Sequence, residues 1–522
     1  MMRAWGMSAL RGVRGAHVWG TIAATAMLAA ALLAWAVITP GMRGPDEPNH
    51  VAVAVDLFET GAYPPPGTAP FPASVRASYP WFGFPGAAEV FSSAGPVGAL
   101  PDDAPTLRDL RDENPTADAA MTNQITQHPP LYYLALAGAI HAFGLADVPV
   151  TQAILALRLV TAAMLLPIPA LIATTCRRLR LPPAAILAAS FIPAAWIQFA
   201  HINVLVGNGA LLALTCTLAL ALMVRVVTGD LTVRTGVALG FALAAALWTK
   251  GYALALLPLA IFVYLWRWRA DRARIWPPML AGAAVAALGL VWYVGALLVH
   301  GSLQPTAGPP KVIVFAWEPL LTWIGVFARD LSGSMWMNLG WLETPIRPAA
   351  LHIAASLIAL ALAAYGAWRL RDRPAVIVLL VGAILLTVLI FAVGSARHWL
   401  WNGTIRAAQG RYLHGAVLAV AVMIAAGLPR ARWIAVAAPS AAALSVLAGA
   451  VFGVRHFWED ASLSYVVAAW PAGGIVLVLA VMLLIGGIIV GTVAASRLPP
   501  SGSRSRTVDD IARDGAATAR SG

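Results

Sequence analysis

Apolar runs recur from about residue 19 to residue 492, each close to the length of a bilayer crossing and separated by short arginine clusters. A helix needs about 20 mostly apolar residues to cross a bilayer, because no water is present to satisfy its backbone polar groups. This pattern dictates an all-α polytopic membrane protein. Composition agrees: of 522 residues, 60% are hydrophobic and only 11% charged, against roughly 25% charged in soluble domains. A soluble enzyme, a disordered chain and a disulfide scaffold are excluded.

Hydropathy places spans at about 19–39, 154–175, 183–200, 208–226, 235–249, 251–266, 277–299, 350–368, 374–394, 412–428, 432–452 and 465–492. That is a bundle of about 12 transmembrane helices with both termini cytoplasmic. The first run reads as a retained span, since it is longer than a usual signal-peptide core and no cleavage site follows. The run about 129–144 reads instead as a juxtamembrane helix on the outer surface. If it crossed, the clusters Arg177, Arg178 and Arg180, then Arg267, Arg269, Arg272 and Arg274, and those after them, would all face outward. Cytoplasmic loops are the arginine-rich ones.

This thread leaves a long first extracytoplasmic loop, 40–153, which holds 12 of the 23 acidic residues. A second large outer loop covers 300–349. Residues 1–496 read as one membrane domain and 497–522 as a disordered cytoplasmic tail. The net charge of +12 lies in loop arginines, with no aromatic-interleaved basic patch, so the implied partner is the lipid bilayer and not nucleic acid. Cys176 and Cys216 fall in or at the end of apolar segments and offer no disulfide framework or thiolate zinc site.

Chemistry-bearing residues gather at loop positions on the outer side. In Pro45-Asp46-Glu47-Pro48-Asn49-His50 two carboxylates sit between prolines that stiffen the turn. Such a carboxylate can accept the proton of an attacking hydroxyl; the plainer reading is a solvated turn. His128-Pro129-Pro130-Leu131-Tyr132-Tyr133 opens the juxtamembrane helix, where free backbone amides favour anions; its tyrosines also suit an interfacial anchor.

Lys250, one of two lysines among 35 basic residues, stands between apolar runs where an unpaired charge is costly. Its ammonium suits a phosphate oxygen, or it snorkels at the boundary. Gln409-Gly410-Arg411-Tyr412 follows Arg397, His398 and Arg406, outer cations against the charge rule that suit an anionic ligand or the acidic loop. Trp336 and Trp341 could stack on a sugar or lie among headgroups. His201, Asn203 and Asn208 form a weaker polar group. The span interiors are nearly free of ionisable residues apart from Arg158. A transporter would place polar groups near the midplane, so a flippase or exporter of lipid-linked sugars is the lesser reading. A non-catalytic polyprenyl-phosphate binder is a further one.

These motifs, in order over residues 45–412, resemble the GT-C superfamily of membrane glycosyltransferases. Most similar is the bacterial family called domain of unknown function 2142 (DUF2142). The resemblance implies a GT-C-like bundle in a bacterial cytoplasmic (inner) membrane with its active face extracytoplasmic. It implies inverting transfer of a sugar from a polyprenyl-phosphate donor to an acceptor hydroxyl of an envelope glycan, lipid or protein. By analogy Asp46 is the base and Glu47 helps hold a cation or the substrate. Lys250 and Arg411 meet the donor phosphate, with His50, His128, Tyr132, Trp341, Gln409 and Tyr412 as further substrate contacts. A divalent cation is compatible but not required. The loop Asn203–Gly209 lacks the carboxylate that many GT-C proteins carry there, which weakens a metal site.

Overall fold

The computed structural model describes residues 2–87, 90, 95–115, 118–305, 315–405 and 408–498. Arg406 and the expected tail from residue 499 onward lie outside the described residues.

The helices are apolar and long. Among the described residues, ten helical stretches are long and apolar enough to cross a membrane. They become eleven if Pro183–Ala195 and Ile197–Val204, bent by 52°, form one span. The chain is a multi-pass integral membrane protein. Against the expected number of about 12, ten or eleven stretches meet the length and hydropathy of a crossing, and the one that falls short is 235–249. Its helix, Val233–Leu247, has 15 residues, about 22 Å at 1.5 Å per residue. That helix still joins the same two ends of the bundle as Gly209–Val227, for Asn208 meets Lys250 at one end and Asp230 meets Thr232 at the other. Leu131–Ala142, expected to lie outside the bilayer, has 12 residues, too few to cross.

The first helix, Met2–Ile38, is central. Its buried Ala23, Met27, Ala30 and Ala34 form one face, and Gly473–Ser496 packs along it. The approach is close because Gly487 presents no side chain. A Cβ on Gly487 would stand 2.3 Å from the Met27 side chain. Without a hydrophobic drive between helices in lipid, small residues of this kind let backbones come together.

The first loop folds over one end of the bundle. It begins with helix Glu47–Thr60, continues through an antiparallel ribbon of Pro70–Phe71 with Asp118–Thr122, and ends at Leu131–Ala142. The second loop is clamped beneath it by Glu343. That carboxylate accepts from Arg43 Nε at 3.1 Å and Nη2 at 2.9 Å, from the Trp341 amide at 3.0 Å, and lies 2.9 Å from His456 Nε2. Burial opposes its charge, but these bonds hold its carboxyl down at about 2. Three segments far apart in sequence are thereby fixed over the same end.

Candidate functional site

Asp46 is set by local geometry. It occupies the N-cap position of Glu47–Thr60 in the left-handed region, at φ 64°, and its side chain makes no capping bond. Asp is one of the few residues that tolerates this region. The turn sends the two adjacent carboxylates to different places. Asp46 lines a cavity of about 260 Å³ together with His50, His128, Lys250, Arg411 and Tyr412. Arg411 Nη2 donates to Asp46 Oδ2 at 2.9 Å, and Nη1 to the Pro45 carbonyl at 3.2 Å. Asp46 Oδ1 has no partner among the described residues.

Glu47 does not line this cavity. It is 0% exposed and bonded twice to Arg158, also 0% exposed, at 2.8 and 2.7 Å. It further accepts from the amides of Val206 at 3.0 Å and Gly44 at 3.3 Å. Its acceptor capacity is consumed, so the expected contact with a cation or substrate is corrected to a structural one.

Lys250 follows helix Val233–Leu247 and reaches Asn208 Oδ1 at 3.2 Å. Its ammonium lies 5.3 Å from the Tyr252 ring and 5.7 Å from the Tyr412 ring, and the Arg411 guanidinium stands 5.2 Å from Tyr412. The aromatic faces partly offset the loss of hydration. Burial first, then Arg411, lower the Lys250 ammonium to about 7, against the opposing pull of Asp46. His50 and His128 lie well below the usual histidine range, by burial above all and then by Lys250. Both rings are neutral at pH 7. They lie nearly parallel, 6.5 Å apart, and His50 Nδ1 is 2.8 Å from the Tyr133 hydroxyl.

Arg411 is delivered by a close approach. The Gly410 amide donates to Ser334 Oγ at 2.8 Å. A Cβ on Gly410 would stand 2.3 Å from Met335 Cα, so only glycine lets the segment lie against helix Trp317–Trp336.

Several buried polar atoms of the cavity lining lack a partner among the described residues: Gln127 Oε1, His128 Nδ1, Arg411 Nε and His414 Nε2. Orphaned polar atoms around a cavity call for a ligand or water. The donor set does not suit a divalent cation. Asp46 is the lining's one carboxylate, it is paired with Arg411, and Lys250 faces the same space. Among the described residues no group of three His, Cys, Asp or Glu is arranged around a metal position.

Tyr132, Trp341 and Gln409 fall beside the cavity, whereas Asn203 and His414 line it. Tyr132 is buried and braces its wall, accepting from the Gly207 amide at 2.8 Å and pairing with Thr161 at 2.8 Å. Trp341 is tied to the Met42 carbonyl at 3.3 Å and secures the second loop. Gln409 faces a separate pocket. Asn203, weakly marked in the sequence, holds the His414 ring at 2.8 Å. His414 itself was missed; its only sequence signal is its place two residues after Tyr412.

Among solved structures the chain is similar to ArnT from Cupriavidus metallidurans, in the apo state and bound to undecaprenyl phosphate. Identity is 16% and the TM-score 0.41 over 90% of this chain and 76% of that one. It is similar also to the oligosaccharyltransferase AglB from Archaeoglobus fulgidus in complex with an inhibitory peptide and a dolichol-phosphate, at 13% identity and a TM-score of 0.43. That match covers 94% of this chain and 58% of the archaeal protein. No curated protein sequence matches the chain. A family model does: residues 30–423 match the predicted membrane protein family DUF2142, and the chain belongs to that family.

Proposed function

We propose that this protein is an inverting membrane glycosyltransferase that moves a sugar from a polyprenyl-phosphate donor to an acceptor hydroxyl on the outer face of the cytoplasmic membrane. The observation that carries the reading is the charge set of one cavity. Asp46 and Arg411 neutralise each other, the histidines are neutral, and Lys250, poised at about 7, has no acidic partner among the described residues, so an anion bound beside it holds its proton on. A phosphate completes that set, and ammonium and guanidinium donors are the groups that bind it most strongly.

Each group then has a task. Asp46 Oδ1 accepts the proton of the acceptor hydroxyl while Arg411 holds Oδ2 in place. The acceptor oxygen bonds to the anomeric carbon from the face opposite the phosphate. The bond from that carbon to the phosphate oxygen breaks, and its electron pair leaves with the polyprenyl phosphate. Lys250 stabilises the charge that gathers on the leaving group, a fixed cation placed where charge develops. One base and one displacement invert the anomeric centre.

Asp46→Asn tests the reading. It keeps the shape and an acceptor for Arg411 but removes the base. In purified protein supplied with polyprenyl-phosphate sugars, transfer should fall by about 10²–10⁴-fold while binding of undecaprenyl phosphate persists. Unchanged envelope glycans and donor turnover in cells carrying the variant would overturn the assignment.

A further inference from the structure

The segment 409–412 forms the wall of two cavities. Arg411 and Tyr412 line the one described above, while Gln409 lines another of about 510 Å³, set between helix Trp317–Trp336, the end of the second outer loop and the start of helix Ala349–Arg369. The second cavity is also at the loop end of the bundle, because the Ser334 hydroxyl beside it receives the Gly410 amide.

Its lining mixes unused polar groups with small apolar faces. Gln409 Oε1 is buried without a partner among the described residues. Asn338 uses its side-chain oxygen on the Thr344 amide at 2.9 Å, which leaves its amide hydrogens free among the described residues. His352 spends Nδ1 on Ser332 at 3.0 Å and keeps Nε2. Arg329 is paired with Asp330 at 3.0 Å, whereas Arg347 at the rim has no acidic partner among the described residues. Pro345, Ile346 and Ile405 supply the apolar part of the wall.

Neutral donors and acceptors beside apolar patches match a sugar ring, whose hydroxyls both give and accept and whose C–H faces are apolar. One unpaired guanidinium adds a preference for an anionic substituent. We infer that this second cavity binds an acidic carbohydrate, and on the transferase reading this is the glycan portion of the acceptor. Gln409 then selects hydroxyls in one cavity while Arg411, two residues on, holds the base in the other.

The test uses the full chain in detergent, with trigalacturonate as the acidic probe and maltotriose as the neutral one, followed by ligand-observed NMR and thermophoresis. Trigalacturonate should bind saturably and at least several-fold more tightly than maltotriose. Gln409→Leu should weaken both about tenfold. Arg347→Gln, at an exposed position, should remove only the preference for the acid. Lys250→Met should leave saccharide binding as in the parent, since it acts on the other cavity. Thermal melts report that each variant is folded. Absence of saturable binding, or binding indifferent to Gln409→Leu, overturns the inference. The two readings fail separately. Loss of saccharide binding while transfer still depends on Asp46 sinks the pocket alone. Saccharide binding in a chain whose Asp46→Asn variant transfers normally sinks the transferase alone.

Discussion

Replacing Arg158 with methionine removes the one cation among the described residues that pairs with Glu47. The guanidinium makes five bonds: two to the Glu47 carboxylate, at 2.8 and 2.7 Å, and three to the carbonyls of Ala36, Thr39 and Pro40 at 2.7, 2.6 and 2.9 Å. Those carbonyls belong to the end of the first helix and the turn after it, so Arg158 ties that end to the turn carrying Asp46. Methionine fills the volume but leaves a buried carboxylate with only the amides of Val206 and Gly44. Breaking a buried pair from one side costs about 3–5 kcal/mol.

The buried thiols of Cys176 and Cys216 provide the assay. A thiol-reactive fluorophore reports their exposure on heating in detergent. At roughly 2 °C or less per kcal/mol in a chain this large, the midpoint should fall by on the order of 5 °C. The double variant Arg158→Met with Glu47→Gln should recover part of the loss, because no charge is stranded and the amide oxygen keeps the Val206 donor, although the Gly44 amide, bound to the other carboxylate oxygen, loses its acceptor. A single variant that melts like the parent, or a double variant no better than the single, would refute the account of this pair.

Other predictions follow from the same geometry. Lys250 has a folded value of about 7, below its ordinary 10.5, so from about pH 7 to 10.5 the unfolded chain holds a proton that the folded chain has released and this group's contribution to stability rises with pH. A bound phosphate reverses the preference. At pH 8 binding of undecaprenyl phosphate should take up about 0.9 proton at this site, and affinity should weaken as pH climbs above 7. Calorimetry in buffers of different ionisation enthalpy reads both, and uptake that persists in Lys250→Met would remove the assignment. Gly410→Ala forces a Cβ against the Met335 backbone; it should displace Arg411 and lower transfer at least tenfold, read as kcat against KM, and parental kinetics would show that the approach is not needed. Cysteines at positions 100 and 320 should react with an impermeant reagent from outside intact cells and one at 270 should not, and labelling at 270 would reverse the orientation.

Much of the candidate site was legible because loop residues that carry chemistry stand out against apolar spans. Asp46, His50, His128, Lys250 and Arg411 could each be picked by type and by position near a span end, and they line one cavity. Glu47, Trp341 and Tyr132 could not be sorted from them in the same way. Glu47 and Tyr132 each sit in a motif with a lining residue and Trp341 in a loop motif of its own, but their side chains are directed into packing. Neighbours in sequence share a location and not a direction. The left-handed turn at Asp46 separates it from Glu47 by backbone angle alone.

What the linear order determined was the solvent of each segment. Hydropathy and arginine placement are sums over local residues, and the bilayer reads them locally, so the multi-pass helical architecture and the polar end where chemistry gathers follow from composition along the chain. What tertiary structure alone decided was partnership. Glu47 found Arg158, Glu343 found Arg43 and His456, and Gln409 turned away from Arg411 into its own pocket. These pairings depend on distances between residues more than a hundred positions apart, and only the packed bundle sets them.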